Sequence, residues 1–580
     1  MKKFLLFVFL TQVGHLLAQN APEPSNPVLK SLLAKTRTFN EEERKLNAAS
    51  GYPLGLHGEK EARRRYDFAV QATAEINAID RKQLNFSDEI NADLLLYSLE
   101  DDISDYRYKA YLNPILSEGG FHTQVTGIAN TNLRSAKDAE DYLAKINDLP
   151  RYMEEHFELM RQGLKINLAQ PFDVVKSFNN TYEIHIVDQV EQSVFWKPFL
   201  KKPDAIADAV WQTLQQRAKD AIRSKAIPAF RMVKDFFEKE YLTLAPVKPG
   251  AQFFPDGKAF YQERVRHFTT TDLTYDSVYN IGIKEVARIN KAMYEVMEQV
   301  GFRGSLQEFI AFLRNDPRFY PKTGEDLLKE ASFIAKKIDG KLPLLFGRLP
   351  RQPYGVEPVP TEIAPTYTAG RYSPAPINST RSGNYWVNLY NLPSRTLYTL
   401  EALTLHEAVP GHHLQMSLTQ ELENLPVFRR NLYVNAFGEG WGLYAESLGY
   451  EIGLYKDPYS RFGQLTYDMW RASRLVIDVG LHAKGWSRQQ AVDYLASNTA
   501  LSLHEVNTEI NRYMAWPGQA LAYKMGELKI KELRQRVKSA LGDKFDIRQF
   551  HDLILSEGTL TLRLMDKLVE KYIREKTVKP

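Results

Sequence analysis

The sequence predicts a mainly α-helical protein, and two observations support this fold class. Through roughly the first half of the chain, apolar residues recur at three- and four-residue intervals, as on amphipathic helices. The stretch that starts at Asp204, DAIADAVWQTLQQRAKDAIRSKAIPAFRMVKDFFEKEY, keeps this spacing for many turns, with Pro228 as a predicted kink. Only one short stretch, discussed below, alternates as a strand does. We therefore expect a large helical body with a small β element.

Composition narrows the expected partners. Of the 580 residues, 44% are hydrophobic and 25% are charged, which is typical of a globular protein with a large core. The net charge of +4 is small for this length, so neither nucleic acid nor an anionic membrane is an expected partner. A peptide or a small molecule is the expected ligand, and the sequence leaves the oligomeric state open.

The N-terminal segment MKKFLLFVFLTQVGHLLAQ predicts export. Two lysines precede an apolar run, and Leu16 and Ala18 occupy the −3 and −1 positions of a cleavage site, so residues 1–18 read as a signal peptide. A retained membrane anchor is the alternative, but the run is short for a bilayer and His15 interrupts its end. We expect a periplasmic or secreted protein without stable membrane insertion.

The chain contains no cysteine. This excludes disulfides, thiolate metal sites and attachment of a lipid to cysteine. A metal site in this protein must therefore use His, Asp and Glu side chains.

A change in composition suggests a division of the chain. Between residues 342 and 394 repeated prolines exclude a regular helix. We accordingly predict an N-terminal helical region over 19–341 and a metal-binding region over 342–580, which together form one continuous fold.

One stretch in the proline-rich segment, NYWVNLYN from Asn384, alternates bulky and polar side chains and predicts a short strand. It is either part of a hairpin packed on the core or an edge strand that pairs with an extended substrate. In the second case Asn388 is a candidate for substrate contact.

The stretch HEAVPGHHLQ carries the strongest chemical signal. In the His-Glu-x-x-His arrangement, two histidines on one helix face share a zinc and the glutamate activates water. His406 and Glu407 open the motif here, but position 410 is proline and histidine returns only at His412 and His413. Since proline removes a helical amide, a Pro410-Gly411 bulge would return His412 to the face of His406. We favour His412 as the second ligand and keep His413 as the alternative.

A third ligand is expected from NAFGEGWGLYAESLGYEIG. A helix over this stretch places Glu439 and Glu446 about two turns apart on one face. Glycines on both sides of Glu439 allow a helix or ligand to approach closely, which favours Glu439 as the ligand. Glu446 is then a candidate to orient a ligand histidine.

Two later stretches offer groups that stabilise a transition state or bind substrate. In RASRLVIDVGLHAKGW, Arg474, Asp478 and His482 form a polar stripe. This stripe is either a salt-bridge ladder or a site where His482 donates to an oxyanion while Asp478 holds its tautomer.

The second of these stretches is RYMAWPGQALAYKMG. Its Tyr523 is the better candidate for the oxyanion role, and Tyr513 is a second one. Arg512 and Lys524 are candidates to bind a substrate carboxylate. The alternative is that both tyrosines belong to the core.

LTLHEAVPGHHLQ, GEGWGLYAE, RLVIDVGLHAKGW and RYMAWPGQALAYKMGELKI, in this order, resemble the bacterial family called domain of unknown function 885. That family is similar to helical zinc peptidases such as angiotensin-converting enzyme, thimet oligopeptidase and carboxypeptidase Taq. The resemblance implies a helical zincin-like body with a deep cleft, zinc, and hydrolysis of peptides. It also matches Gly411-His412 to the Gly-His pair of those peptidases and Glu439 to their third ligand.

The expected activity is therefore zinc-dependent hydrolysis of peptide bonds, with Glu407 as the general base. Two alternatives remain: a metal-dependent hydrolase of a non-peptide amide or ester, and a helical binding protein with a structural zinc. Manganese or cobalt would suit the same ligands.

Overall fold

The computed structural model describes residues 23–49, 51–361, 363–377 and 379–578. The predicted signal peptide, residues 1–18, lies outside this range. Across the described residues, helices dominate and the strands are few and short, which confirms the mainly α fold class. No helix within these ranges is long and apolar enough to cross a membrane.

The chain divides into two compact units. The first comprises Pro24–Phe260 together with Met514–Trp516, and the second comprises Tyr261–Tyr513 together with the chain from Pro517 onwards. The division therefore falls after residue 260, and the change in composition at residue 342 does not coincide with it.

The first unit contains ten helices within its described residues, and α11 (Gly257–Thr269) spans the division. The ten are α1 (Pro27–Ala49), α2 (Glu59–Asn77), α3 (Phe86–Arg107), α4 (Phe121–Gln124), α5 (Ala136–Lys165), α6 (Phe172–Val175), α7 (Asn179–Glu183), α8 (Asp208–Ala221), α9 (Ile227–Asp235) and α10 (Leu242–Leu244). The first unit also contains a two-stranded antiparallel pair, β1 (Ile115–Leu116) and β2 (Gly119–Gly120).

The long helix predicted from Asp204 is interrupted. Two π-helical segments, Ile222–Ala226 and Phe236–Tyr241, separate α8, α9 and α10. Pro228 lies in the first turn of α9, directly after the first π segment, where the missing amide of proline is tolerated.

The helices of the second unit build the core around one buried helix. They are α12 (Tyr275–Gln299), α13 (Leu306–Asn315), α14 (Gly324–Asp339), α15 (Leu400–Glu407), α16 (His412–Gln420), α17 (Val427–Asn431), α18 (Asn435–Glu451), α19 (Pro458–Ala483), α20 (Arg488–Asn498), α21 (Leu503–Ala515), α22 (Ala522–Leu541), α23 (Ile547–Ile554) and α24 (Leu562–Val578). Nearly every residue of α19 is buried. Gly282 of α12 lies against Leu475 and Val476 of α19, so the two helices approach closely there.

A three-stranded sheet precedes α15 in the second unit. It consists of β3 (Tyr354–Pro358), β4 (Gly370–Ser373) and β5 (Gly383–Val387) in the order β3-β5-β4. Strand β5, the one predicted from sequence, runs parallel to β3 and antiparallel to β4. Of the two alternatives given for β5, the edge strand is wrong, because both of its sides are already paired and β3 and β4 lie at the edges.

Candidate metal centre

The HEAVPGHHLQ motif forms two helices and the break between them. Helix α15 ends at Glu407 and α16 begins at His412, so the predicted bulge within one helix is a full interruption. Trp441, fully buried on α18, donates from Nε1 to the carbonyl of Pro410 at 2.8 Å and holds the break. A Cβ at Gly411 would collide with the carbonyl oxygen of His406, so this position requires glycine.

The break brings His406, His412 and Glu439 together, as the sequence predicted. One atom from each side chain lies within 4.8 Å of the other two. Oε2 of Glu439 is 3.4 Å from Nε2 of His412 and 3.9 Å from Nε2 of His406. Both histidines are buried and the Glu439 side chain is 12% exposed, so the three donors are largely shielded from bulk water.

The glycines around Glu439 allow neighbouring groups to lie close to the backbone of α18. A Cβ at Gly442 would lie 2.8 Å from Cε1 and Nε2 of His406. A Cβ at Gly440 would lie 2.5 Å from Cα of Gly526, which places the backbones of α18 and α22 in contact. The helix that carries Glu439 can therefore pack directly on the imidazole of His406.

Behind the three donors, Glu446 fixes His406. Oε1 of Glu446 accepts a hydrogen bond of 2.8 Å from Nδ1 of His406, which leaves Nε2 to face Glu439. Glu446 has no exposed surface, and Nη2 of buried Arg471 lies 3.5 Å from the same oxygen. Burial lowers the pKa of His406, but the carboxylates of Glu439, Glu446 and Glu407 outweigh this and raise it to about 9. The surrounding carboxylates thus favour a positive charge at this imidazole.

Glu407 and His413 are connected by strand β4. Oε2 of Glu407 accepts a hydrogen bond of 2.8 Å from the backbone amide of Tyr372. Nδ1 of His413 lies 2.9 Å from the Tyr372 hydroxyl and 3.2 Å from Oγ of Ser417. Burial lowers the pKa of His413 to about 4, so its ring is neutral. His413 is accordingly a partner of Tyr372, and His412 is the histidine placed with His406.

Two tyrosines flank Glu439. Burial, and then the charge of Glu439, raises the pKa of Tyr523. The same causes raise the pKa of Tyr433 well above its usual value, and the Tyr433 ring occupies the space beside Gly438 that a side chain would fill. Both phenols are neutral hydrogen-bond donors close to the proposed ligand.

The stripe of Arg474, Asp478 and His482 is buried in the interior of the unit. Oδ1 of Asp478 accepts hydrogen bonds from the Tyr261 hydroxyl at 2.6 Å and the Gly518 amide at 3.0 Å. Nε2 of His482 lies 2.9 Å from the carbonyl oxygen of Tyr513, and burial lowers its pKa to about 4. These partners hold helices together and give no support to an oxyanion role for His482 or a tautomer role for Asp478.

Two predicted substrate contacts at the C-terminal end of the chain have other roles. Lys524 is fully buried, and its ammonium pairs with Asp468, with Glu527 at 2.7 Å and with Glu285 at 3.2 Å. The hydroxyl of Tyr513, also fully buried, accepts from Nε1 of Trp470 and from Nε of Arg474. Both side chains are structural, because neither has surface for a substrate.

Arg512 and Asn388 differ in accessibility. Arg512 is 13% exposed and binds Glu509, while its Nη1 donates to Gln519. Asn388 is fully buried, and its amide donates to the carbonyls of Ala364, Tyr367 and Thr368. Asn388 therefore fixes the loop before β4 rather than contacting substrate.

Three residues at the site were not found from sequence: Tyr372, Tyr433 and Arg471. Tyr372 lies in a strand too short for an alternation signal, and Tyr433 lies in the turn before α18. Arg471 is one of several basic residues on α19. Only the fold brings these residues to His406 and Glu407, so no local pattern could have identified them.

Comparison with known proteins decides the family. Residues 54–569 match the family described as bacterial protein of unknown function DUF885. The chain belongs to this family. No curated protein matches the DUF885 chain.

Two solved structures are similar to this DUF885 protein. One, from Colwellia psychrerythraea and described as a lipoprotein, is 27% identical with a TM-score of 0.82, over 90% of this chain and 92% of that one. The other, from Shewanella oneidensis and described as a lipoprotein of unknown function, is 17% identical with a TM-score of 0.67. This match covers 94% of this chain and 100% of that one. The second likeness shows the fold alone.

Proposed function

We propose that this DUF885 protein is a zinc-dependent peptidase. The observation that carries the proposal is the convergence of Nε2 of His406, Nε2 of His412 and Oε2 of Glu439 beside Glu407. A structural zinc has no need of a carboxylate placed as a base, whereas a hydrolytic site does.

The donor set suits zinc. Two donors each about 2.0–2.1 Å from one tetrahedral zinc lie about 3.3 Å apart. The observed 3.4 and 3.9 Å from Glu439 to the two histidines are close to this, and all three donors lie within 4.8 Å of one another. His406, His412 and Glu439 would hold the zinc, and a zinc bound by them would acidify a water and polarise a substrate carbonyl. Manganese or cobalt suits the same donors.

Glu407 has the position of a general base. It follows the ligand His406 directly in sequence, and the Tyr372 amide holds one of its oxygens. In the proposed reaction Glu407 accepts the proton of the attacking water and returns it to the leaving amine. Its location at the end of α15 keeps the carboxylate close to the donors without making it one of them.

Oxyanion stabilisation is assigned to Tyr523. Burial, and then the charge of Glu439, raises the pKa of Tyr523, so its phenol is neutral. A phenol donates a hydrogen bond to a developing oxyanion without a proton transfer. We assign Tyr523 this role in accordance with its sequence prediction, whereas the Tyr433 hydroxyl hydrogen-bonds Glu439 and holds the proposed ligand.

An extended peptide fits against β4 rather than β5. Strands β3 and β4 are the edges of the sheet, and β4 is the edge whose Tyr372 amide is bonded to Glu407. Strand addition along β4 would place a substrate backbone beside the base while the Tyr372 amide stays bonded to Glu407. This supports peptides over other amides and esters as the substrate class.

The proposed location is the periplasm or the medium. The N-terminal segment has signal-peptide features, and the structural neighbour that is 27% identical is described as a lipoprotein. The given sequence contains no cysteine, the residue to which a bacterial lipid anchor is attached.

The test is mass spectrometry of a mixed peptide library after incubation with the zinc-loaded protein. The matched control is Glu407→Gln, which keeps the side-chain shape and removes the base. We expect cleavage by the wild type and a loss of about 10²- to 10⁴-fold in the variant. Equal cleavage by both proteins would refute the role of Glu407, and no cleavage by the folded, zinc-loaded wild type would refute the peptidase proposal.

A further inference from the structure

The amide of Tyr372 is directed at Glu407 by the register of the sheet. In the antiparallel pair of β4 and β5, Tyr372 faces Tyr385, and the amide of Asn388 donates to the carbonyl of Ala369. Hydrogen-bonded pairs alternate along such a ladder, so the pair at Tyr372 is a non-hydrogen-bonded one. Its amide therefore points away from β5 and is available to Glu407, 2.8 Å from Oε2.

The side chain of Tyr372 is fixed at its other end. Gly383 on β5 leaves the space in which the Tyr372 hydroxyl lies, since a Cβ there would collide with it. From this position the hydroxyl reaches Nδ1 of His413 at 2.9 Å. Tyr354 packs on the His413 ring with centroids 4.7 Å apart. The backbone carbonyl of Gln352 also faces this imidazole, which favours a tautomer with Nδ1 as the acceptor.

We propose that Tyr372, anchored through its hydroxyl by His413, is the positioning residue for Glu407. One residue thus links three elements: its backbone holds the base at the end of α15, and its side chain binds the residue after the ligand His412 on α16. This inference rests on the proposed function, and it assigns His413 a role other than metal binding.

The physical effect is orientation of the base. Glu407 ends its helix, where the next residue, Ala408, has already left helical geometry, so its side chain lacks the support of a following turn. A misplacement of a catalytic group by about 1 Å costs up to about 10²-fold in rate. Loss of the Tyr372 anchor lets β4 shift and takes the amide with it.

The variants are chosen to separate positioning from metal binding. Tyr372→Phe removes the hydroxyl and keeps the ring and the amide. His413→Leu removes the acceptor, whereas His413→Asn places an amide oxygen near the position of Nδ1. Thr419→Val is the matched control, because its hydroxyl lies on the same helix and bonds Gln415, away from His413 and Tyr372.

Steady-state cleavage and zinc affinity by chelator competition are measured for each variant, on a peptide that the wild type cleaves. We expect kcat to fall about tenfold in Tyr372→Phe and His413→Leu, with KM within about twofold and zinc affinity unchanged. His413→Asn recovers most of the loss, and Thr419→Val retains wild-type kcat. If His413→Leu does not fold, Tyr372→Phe carries the test alone.

Three results would overturn the inference. An unchanged kcat in Tyr372→Phe removes the positioning role. A rise in KM alone makes Tyr372 a substrate contact. A parallel loss of zinc affinity makes it a support of the metal site. Failure of the proposed function gives a different result: the wild type and Glu407→Gln would then be equally inactive, and this would overturn both the function and the inference. Failure of the inference alone would leave the wild type active and Glu407→Gln inactive.

Discussion

Nδ1 of His406 lies 2.8 Å from Oε1 of Glu446, a carboxylate with no exposed surface. This contact selects the His406 tautomer whose Nε2 faces Glu439, and it supplies buried negative charge behind the imidazole. A carboxylate behind a histidine ligand raises the basicity of the ligand and fixes its ring.

Removal of the Glu446 carboxylate should weaken zinc binding. We expect Glu446→Gln to lower zinc affinity by about 10- to 100-fold, as chelator competition would measure. Glu451→Gln is the control, because Glu451 lies on the same helix and pairs only at the surface with Arg534. Equal affinities for Glu446→Gln and the wild type would contradict the role assigned to the contact.

The two adjacent histidines should differ in their effect on zinc. His412→Ala removes a donor and should abolish stoichiometric zinc binding, whereas His413→Ala should leave a bound zinc, because His413 contacts Tyr372 and Ser417. The zinc content of purified protein, measured by elemental analysis after dialysis, distinguishes the two. Zinc retained by His412→Ala and lost by His413→Ala would show that His413 is the ligand.

Gly442→Ala should displace His406. The added Cβ would lie 2.8 Å from two atoms of the His406 ring, well inside van der Waals contact. We expect a fall in zinc affinity of at least about tenfold in a protein that still folds. Gly340→Ala is the control, since its Cβ would meet only a backbone oxygen at 3.9 Å. Wild-type zinc affinity in Gly442→Ala would show that α18 can move away from His406 without loss of the site.

Asp478 should make stability depend on pH. Burial raises its pKa from 3.8 to about 7, although the Tyr261 hydroxyl and the Gly518 amide partly oppose this. The folded state therefore binds a proton more tightly than the unfolded state, and stability falls as pH rises from about 4 to about 7. Asp478→Asn keeps the acceptor oxygen and does not titrate.

Thermal unfolding followed by circular dichroism checks this expectation. The midpoint of Asp478→Asn should exceed that of the wild type at about pH 8, and the difference should shrink towards about pH 4. A difference that is constant across this range would mean that folding does not raise the pKa of Asp478.

The sequence predicted the parts of the site that share a local pattern. Helical spacing placed Glu439 and Glu446 on one face of α18, and the Pro-Gly pair indicated an irregularity between His406 and His412. The form of that irregularity was wrong, because a break into two helices depends on Trp441 and on packing from other elements. The local sequence pattern identifies the candidate ligands, whereas tertiary contacts determine the path of the backbone between His406 and His412.

Roles that depend on distant partners were not predictable. The spacing of Asp478 and His482 is compatible with a functional stripe and with a structural network. Because α19 is buried on all sides, the two side chains belong to a structural network. Strand β5 became central because β3 pairs with it from a separate part of the sequence. Burial of charged Lys524 could not be foreseen either, since its partners Asp468 and Glu285 come from two other helices.

The most direct test of the central claim is a crystal structure of the zinc-loaded protein with anomalous data on both sides of the zinc edge. The account predicts one anomalous peak within about 2.0–2.2 Å of Nε2 of His406, Nε2 of His412 and an oxygen of Glu439, with Glu407 unbound beside it. A peak held by His413, or no peak at these residues in a protein that binds zinc in solution, would contradict it.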